Sequence, residues 1–328
     1  MLSRACRMRV TDAAAARLLA TGRAAGSAVW DLRRFSSSQV SGGSGSARSQ
    51  WPGAVRLSPV ERVALTVGSA LTALGDPERG DMVAMLGETT GESALRAMAS
   101  RMRADPDGKV LLEERPRIRD GDVASWNLAS LPEASLGRAY GDFMASHGFD
   151  ADSRAEVRYV TDDELAYVLQ RYREAHDFLH PLTGLPPTVL GELGLKWLEM
   201  IQTGLPMTAM AALVGPLRLD AAERAVLTRH LVPWAAEQGR AARFLMAARF
   251  EAMLAWPLHQ VRMDFGIAPA PDVDALLRHY RSVGWGGRTG LAHLAPWKRA
   301  GALSREDEAS VAPAVWGSWR RPAHAPAR

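Results

Sequence analysis

The sequence has few of the residues that mark a disulfide-rich, membrane-spanning or nucleic-acid-binding protein. Its 328 residues include one cysteine, Cys6, which excludes a disulfide framework and a cysteine-ligated zinc site. No uninterrupted run reaches the roughly 20 apolar residues of a membrane span. The first 50 residues hold eight arginines and two aspartates. Subtracting these from the totals of 40 basic and 36 acidic residues leaves 32 and 34 from Trp51 onward, which gives no support for a nucleic-acid partner.

The first 50 residues have the composition of an organellar transit peptide. Arginines recur among alanines and leucines from Arg4 to Arg23, as on an amphipathic helix, and acidic residues are scarce. Residues 33–38 resemble a mitochondrial processing site, and the Gly/Ser stretch 41–46 predicts a flexible linker. A basic tail without a targeting role is the alternative. We expect residues 1–50 to be a transit peptide and linker outside the fold.

Residues 51–284 carry the signals of an all-α, multi-helix single domain. Ser58-Pro59-Val60-Glu61 combines a serine cap, a proline at the first helical position and a glutamate that can reach back to the cap. The segments that begin at Thr161 and Asp220 repeat this capping pattern. The only candidate strand covers residues 156–160. Further helices are predicted over residues 59–74, 92–104, 136–146, 189–201, 240–256 and 273–282.

Three stretches depart from this helical pattern. Residues 105–132 are rich in proline, aspartate and arginine, and they predict a long irregular surface connection with at most one short helix. Residues 285–328 have weak periodicity and predict a low-order C-terminal extension. Residues 200–217 are uncharged but are interrupted by glycine and proline. They predict a buried core turn, an apolar ligand wall or a surface at a bilayer interface.

The strongest chemical signal is a histidine pair on the helix predicted to follow Thr161. His176 and His180 both fall on its apolar stripe. Because they are four residues apart, their rings project in the same direction from successive turns, a spacing that lets two imidazoles share one metal ion. Asp177 lies in the same sector of the helix. The stripe comprises Leu165, Val168, Leu169, Tyr172, His176, Leu179 and His180.

A further candidate ligand follows a predicted turn. Pro181 is expected to end the helix, since proline disfavours the α conformation at the preceding residue. Glycine and prolines at 184–187 let the next helix fold back, and Glu192 lies near its start. Two nitrogen and two oxygen ligands suit zinc or another first-row divalent ion. The candidate metal ligands are His176, Asp177, His180 and Glu192.

These residues also have a structural interpretation. A buried histidine can be a hydrogen-bonded core residue, and an i, i+4 histidine pair is not rare in helices. Asp177 with Arg173, and Glu192 with Lys196, have the spacing of ordinary helix ion pairs. What favours a metal is the whole pattern, in which the pair lies on an apolar stripe and a carboxylate follows the turn.

The pattern resembles that of a known family. His176-Asp177-Phe178-Leu179-His180, followed after eleven residues by Glu192, is similar to the H-D-x-x-H-x11-E motif of the fourth protein of coenzyme Q (ubiquinone) biosynthesis. The resemblance extends from about residue 57 to residue 267. Similar phrases also occur at residues 80–81, 87–91, 137–140, 165–168, 170–174, 182–186, 189–192 and 202–206.

The resemblance implies a mostly helical, zinc-dependent lyase of ubiquinone biosynthesis. Its implied reaction is C1-decarboxylation of 4-hydroxy-3-methoxy-5-polyprenylbenzoate to 2-methoxy-6-polyprenylphenol. The implied location is the matrix side of the mitochondrial inner membrane, as a peripheral protein within a complex of ubiquinone-synthesis enzymes. A non-catalytic, polyprenyl-lipid-binding scaffold for that complex is the alternative, and assembly into a homo-oligomer is left open.

Within this account, residues near the motif acquire candidate roles. The metal would bind the substrate carboxylate or the ring oxygens as a Lewis acid. The candidate acid that protonates the ring is Asp177, if it leaves the metal, or Glu174. Arg171 or Arg173 could hold anionic oxygens. The alternative for Glu174, Arg171 and Arg173 is a solvated helix face. The polyprenyl tail needs an apolar groove, although such residues are more often core. The candidate groove residues are Leu205, Met207, Met210, Leu213, Phe244, Met246, Phe250, Met253 and Leu254.

Two other function classes predict different behaviour. In the scaffold, the metal would serve only folding, so ligand variants would lose stability and complex assembly together. A metal-dependent phosphohydrolase would need further histidine and aspartate ligands, and the remaining histidines form no such pattern.

Overall fold

The computed structural model describes residues 51–75 and 80–285, and every regular element within them is helical. The predicted all-α fold is therefore confirmed. The expected transit peptide (1–50) and almost all of the expected extension (285–328) lie outside the described residues. The α-helices are α1 Pro59–Gly75, α2 Gly80–Thr90, α3 Glu92–Ala104, α4 Pro106–Glu114, α5 Asp120–Ser125, α6 Leu136–His147, α7 Asp163–Thr183, α8 Val189–Thr203, α9 Pro206–Val214, α10 Ala221–Val226, α11 Val232–Ala241, α12 Leu258–Phe265 and α13 Val273–Ser282.

The helix starts follow the capping pattern of the sequence. At α1, the Ser58 backbone N–H donates to Glu61 at 2.8 Å and the Glu61 N–H donates back to the serine hydroxyl at 3.3 Å. At α10, Asp220 and Glu223 cap each other with two 2.8 Å hydrogen bonds. The cap of α7 is Asp162, one residue later than expected, because its carboxylate accepts the N–H groups of the first turn.

Two predicted segments differ from the structure. Residues 105–132, expected to be irregular, contain α4, α5 and the 3₁₀ turn Leu128–Ser130. The carboxylate of Asp105 caps α4 directly before Pro106. The aspartate and the proline, which are also typical of loops, here begin a helix. The helix expected over 240–256 is wrong, since α11 ends at Ala241 and two 3₁₀ turns follow, Leu245–Ala247 and Phe250–Ala252. The candidate strand 156–160 pairs with no strand among the described residues, whose only β-bridge joins Ser135 and Pro257.

Pro181 does not end α7. The helix continues to Thr183 and stops at Gly184, whose φ of 77° is the left-handed conformation that glycine tolerates best. The guanidinium of Arg262 on α12 donates to the carbonyls of Pro181 and Leu182 at 3.0 and 2.8 Å. This partner satisfies carbonyls that the helix end leaves open. The geometry of His180 is therefore helical.

The centre of the fold is α7, which is buried around its whole circumference. Every residue from Leu165 to His180 is buried, and α7 packs against α3, α4, α6 and α12. The ring of Phe178 stacks between Tyr140 and Phe250, with centroid distances of 3.8 and 4.9 Å. The buried surface of α7 is therefore wider than the single apolar stripe that the sequence predicts.

The residues expected to line a lipid groove are mostly core residues. The two exceptions in this set are Leu213, which is exposed, and Met210, which is half-buried. Residues 200–217 thus divide between core and surface. No described helix is both long and apolar enough to cross a membrane. The buried members of the set are Leu205, Met207, Phe244, Met246, Phe250, Met253 and Leu254.

Candidate metal centre

Polar side chains link α7 to α8. Tyr172 contacts Glu199, and His180 contacts Glu192. A later residue of α7 thus meets an earlier residue of α8, so the two helices are antiparallel. Thr188 caps α8 by accepting the N–H of Gly191. A Cβ at Gly191 would lie 2.0 Å from the carbonyl oxygen of Pro186, so only glycine fits this turn. The tight turn places Glu192 on the first turn of α8, beside the histidines.

The structure brings the predicted ligands together. His176, Asp177 and His180 are all buried, and each offers a ligand atom within 4.8 Å of the others. Glu192 arrives from α8, with one carboxylate oxygen 3.5 Å from His176 Nε2 and the other 3.2 Å from His180 Nε2. The two imidazole rings are perpendicular, with centroids 5.1 Å apart. This arrangement offers two nitrogens and the Asp177 carboxylate to one ion, and the Glu192 carboxylate lies beside both histidines.

Hydrogen bonds at the far side of each ring set which nitrogen faces the cluster. His180 Nδ1 lies 2.9 Å from the carbonyl oxygen of Leu185, which can only accept, so Nδ1 carries the proton. His176 Nδ1 lies 2.6 Å from Glu199, which favours the same tautomer. The Nε2 lone pairs then point at the Glu192 carboxylate. His180 Nε2 is buried and has no hydrogen-bond partner among the described residues, so acceptors meet acceptors here and a cation fits between them.

The charges around the cluster support the same conclusion. Burial alone would raise the pKa of Glu192, but the contacts with His176 and His180 outweigh burial and hold this pKa well below its usual range. Burial and the Lys196 ammonium would lower the pKa of His176, whereas Glu199 and Glu192 raise it by more. The carboxylates therefore favour a second proton on His176, at Nε2, which would donate to Glu192 in the metal-free protein. A bound cation would displace that proton.

Asp177 has a partner outside the cluster. One carboxylate oxygen accepts from the guanidinium of Arg154 at 2.5 Å, and the Asp177 side chain is 5% exposed. Burial would lower the pKa of Arg154, and Asp177 outweighs it and raises that pKa. Asp177 can therefore offer its second oxygen to a metal while Arg154 fixes its orientation.

Glu174, the other candidate acid, lies outside this cluster. Its carboxylate accepts from Arg117 Nε at 2.8 Å, from the Ile118 backbone N–H at 2.9 Å and from the Gln170 amide at 3.0 Å. The side chain is 3% exposed. These donors occupy both oxygens and anchor the chain that precedes α5 to α7.

Arg171 and Arg173 are also held away from the cluster. Arg171 pairs with Glu251 at 2.6 Å, and Arg173 pairs with Glu88 at 2.8 Å. Both arginines are buried, so the interpretation of a solvated helix face is wrong for them. Each pair ties α7 to a distant segment of the chain.

An open cavity of about 460 Å³ adjoins the cluster at His180. The ring of Phe143 stacks on that of His180 with centroids 4.8 Å apart, and both residues line the cavity. Most of its remaining wall is apolar. The lining residues also include Ala139, His147, Leu185, Pro186 and Pro187.

Sequence reasoning missed Glu199 and treated Lys196 only as an ion-pair partner of Glu192. Glu199 accepts from His176, from the Tyr172 hydroxyl at 2.7 Å and from Lys196 at 2.7 Å. Burial would raise the pKa of Glu199, but Lys196 and His176 lower it to about 2. The available signal was spacing, since Glu192 and Glu199 are seven residues apart and lie on one helical face.

Comparisons with known proteins agree with these observations. The family model for coenzyme Q (ubiquinone) biosynthesis protein Coq4 matches residues 51–271. A ubiquinone biosynthesis protein COQ4 homolog, mitochondrial, from Bos taurus is 46% identical over 221 residues, 67% of this chain and 83% of the relative. The Homo sapiens homolog is 46% identical over 214 residues, 65% of this chain and 81% of the relative.

A solved structure shares the fold. A chain from Nostoc punctiforme, described as a candidate ubiquinone biosynthesis protein, superposes with a TM-score of 0.51 at 19% identity, covering 62% of this chain and 97% of that one. This likeness concerns the fold alone, whereas the family-model match covers the helices that carry the histidines and Glu192. The chain therefore belongs to the Coq4 family of coenzyme Q (ubiquinone) biosynthesis proteins.

Proposed function

We propose that this protein catalyses the zinc-dependent C1-decarboxylation of 4-hydroxy-3-methoxy-5-polyprenylbenzoate to 2-methoxy-6-polyprenylphenol. The observation that carries the proposal is the buried cluster in which the Nε2 atoms of His176 and His180 face the carboxylate of Glu192. Nitrogen and carboxylate donors of this kind suit zinc. Family membership supports a role in ubiquinone biosynthesis, and the candidate metal site supports a metal-dependent reaction.

The proposed metal ligands are His176, His180, Glu192 and the second oxygen of Asp177. When bound, zinc would supply a Lewis acid for the oxygens of the substrate. We place the aromatic ring in the open cavity beside His180, where Phe143 and the neighbouring prolines would cover one face of the ring. Arg154 holds Asp177 in place, so the ligand geometry is set before the substrate arrives.

The reaction needs one proton and releases carbon dioxide. The proton is added at ring carbon C1, the bond from C1 to the carboxyl carbon breaks, and its electron pair restores the aromatic ring. Asp177 is the residue that we propose to deliver the proton, because it is the candidate acid within the cluster. For this step Asp177 would leave the metal and take up the proton from water. Glu174 is the second candidate, and its three donors give it a positioning role in this proposal.

We propose a peripheral location at the matrix side of the mitochondrial inner membrane, within a complex of ubiquinone-synthesis enzymes. The relatives are named mitochondrial, and one face of α1 presents an apolar stripe to solvent. Such a stripe favours a helix that lies in a bilayer interface. Replacing its residues with serine should abolish flotation of the protein with anionic vesicles; unchanged flotation would contradict this location. The stripe consists of Val60, Val63, Val67 and Leu71.

A turnover assay tests the proposed activity. The purified full chain, loaded with zinc, should convert the prenylated benzoate to the phenol with release of carbon dioxide, and His180→Ala should not. Glu237→Gln, at an exposed position on α11, is the matched control and should retain activity. A folded, zinc-loaded wild-type protein without turnover would favour the non-catalytic lipid-binding scaffold, especially if His180→Ala also lost complex assembly.

A further inference from the structure

Four residues at the α7–α8 contact form a buried network behind the proposed metal ligands. The Glu199 side chain is 1% exposed, and its oxygens accept from His176 Nδ1 at 2.6 Å and from Tyr172 and Lys196 at 2.7 Å each. The ammonium of Lys196 also lies 3.4 Å from His176 Nδ1 and 3.5 Å from the tyrosine hydroxyl. Of these four residues, only His176 belongs to the predicted ligand motif.

The helix geometry places a carboxylate at each nitrogen of one histidine. On α8, Glu192 and Glu199 are two turns apart on the same face, and Lys196 lies between them. Glu192 contacts His176 Nε2, whereas Glu199 contacts Nδ1. An imidazole that donates its Nδ1 proton to a carboxylate keeps its Nε2 lone pair free and fixed in direction.

We infer that Glu199 is a positioning residue that selects the Nδ1-protonated tautomer of His176 and aims its Nε2 at the metal, and that Lys196 provides the counter-charge. A buried carboxylate is costly unless it is paired, and Lys196 is the cation that contacts Glu199. Tyr172 donates to the same Glu199 oxygen as Lys196, and the other oxygen contacts His176 Nδ1. This inference rests on the proposed metal site, but its first consequence, the tautomer, concerns the protein without metal.

Two measurements on the full chain test this role. Long-range proton–nitrogen NMR of histidine-labelled, metal-free protein, well above the usual histidine pKa, should show His176 protonated at Nδ1. In Glu199→Gln the population of that tautomer should fall, because the amide can donate to Nδ1 as well as accept. Zinc affinity, measured by chelator competition, should fall about 10- to 100-fold in Glu199→Gln, the range for an outer-shell partner. With cobalt in place of zinc, Glu199→Gln should give an absorption spectrum that differs from that of the cobalt-substituted wild type.

Controls separate this role from folding and from the proposed activity. Lys196→Met, at a half-buried position, provides a second variant: it removes the counter-charge of Glu199 and should lower the urea midpoint of the metal-free protein, while exposed Glu237→Gln should leave the midpoint and the zinc affinity unchanged. Unchanged zinc affinity in folded Glu199→Gln, a wild-type midpoint in Lys196→Met, or a neutral wild-type His176 protonated at Nε2 would overturn the inference. A wild-type chain that binds no zinc but shows the Nδ1 tautomer, lost in Glu199→Gln, would remove the proposed function and leave the tautomer role of Glu199 standing.

Discussion

Two groups of buried charges on α7 behave differently. In the first group, Arg173 pairs with Glu88 and Arg171 pairs with Glu251, so each cation meets an anion of the protein. In the second, the Nε2 atoms of the two histidines face the Glu192 carboxylate, and no arginine or lysine pairs with this carboxylate among the described residues. Removing one partner from a pair of the first kind leaves an uncompensated buried charge, so these pairs matter for stability. The second group is the one that could share a metal ion, and it is the face that we propose to be functional.

The largest expected effect belongs to the first group. Arg173→Met leaves the buried Glu88 carboxylate without its ion-pair partner, so the free energy of unfolding should fall by about 3 to 5 kcal/mol. Zinc affinity should stay the same wherever the variant is folded. Urea denaturation followed by circular dichroism measures the loss. If Arg173→Met had the same urea midpoint as the wild type, the pair would contribute little to stability, and the contrast between the two groups of buried charges would be weaker.

The pH dependence of stability sharpens the contrast next. The pKa of Glu199 is lowered to about 2 from its usual 4.5, so in metal-free protein its contribution is present above about pH 4.5 and is lost as pH falls towards 2. That contribution is on the order of 3 kcal/mol. Urea midpoints measured across this range should fall less steeply in Glu199→Gln than in the wild type. Parallel curves would contradict the ionised, buried state of Glu199.

Glu174 tests whether an acid near the motif is structural. Glu174→Gln keeps one acceptor but weakens the contact with Arg117, so the free energy of unfolding should fall by about 1 to 2 kcal/mol. The rate of decarboxylation under saturating substrate should change little. A loss of turnover in a stable variant would restore Glu174 as the catalytic acid.

The smallest expected effect comes from the helix cap that precedes Glu192. Thr188→Ala removes the acceptor for the Gly191 N–H and should cost about 1 kcal/mol of stability. Because the cap orients the first turn of α8, zinc affinity should also fall slightly. Asp272→Ala removes a comparable cap from α13, which carries no proposed ligand, and should leave zinc affinity unchanged. Equal zinc affinity in Thr188→Ala and Asp272→Ala would show that the cap of α8 does not influence the metal site.

The sequence was sufficient to predict the helical class and the grouping of His176, Asp177 and His180, because both depend on local spacing. Helical periodicity placed His176 and His180 on one face, and the Gly/Pro turn returned Glu192 to them. The sequence could not assign the charged residues of α7, because the partners of Arg173 and Glu174 lie 85 and 57 positions away along the chain. For the same reason Glu199 was missed, since its role depends on the antiparallel packing of α7 and α8. Pro181 was misjudged because Arg262, from a distant helix, supports the end of α7.

Metal content tests the central claim most directly. Mass spectrometry of the purified full chain, after dialysis against zinc and then against metal-free buffer, should find about one zinc ion per wild-type chain, as for a single site of four ligands. His180→Ala should lose the ion and retain its helical circular dichroism spectrum. A folded wild-type protein that takes up no zinc or other divalent metal would contradict the account and would leave His176, His180 and Glu192 as a packing cluster.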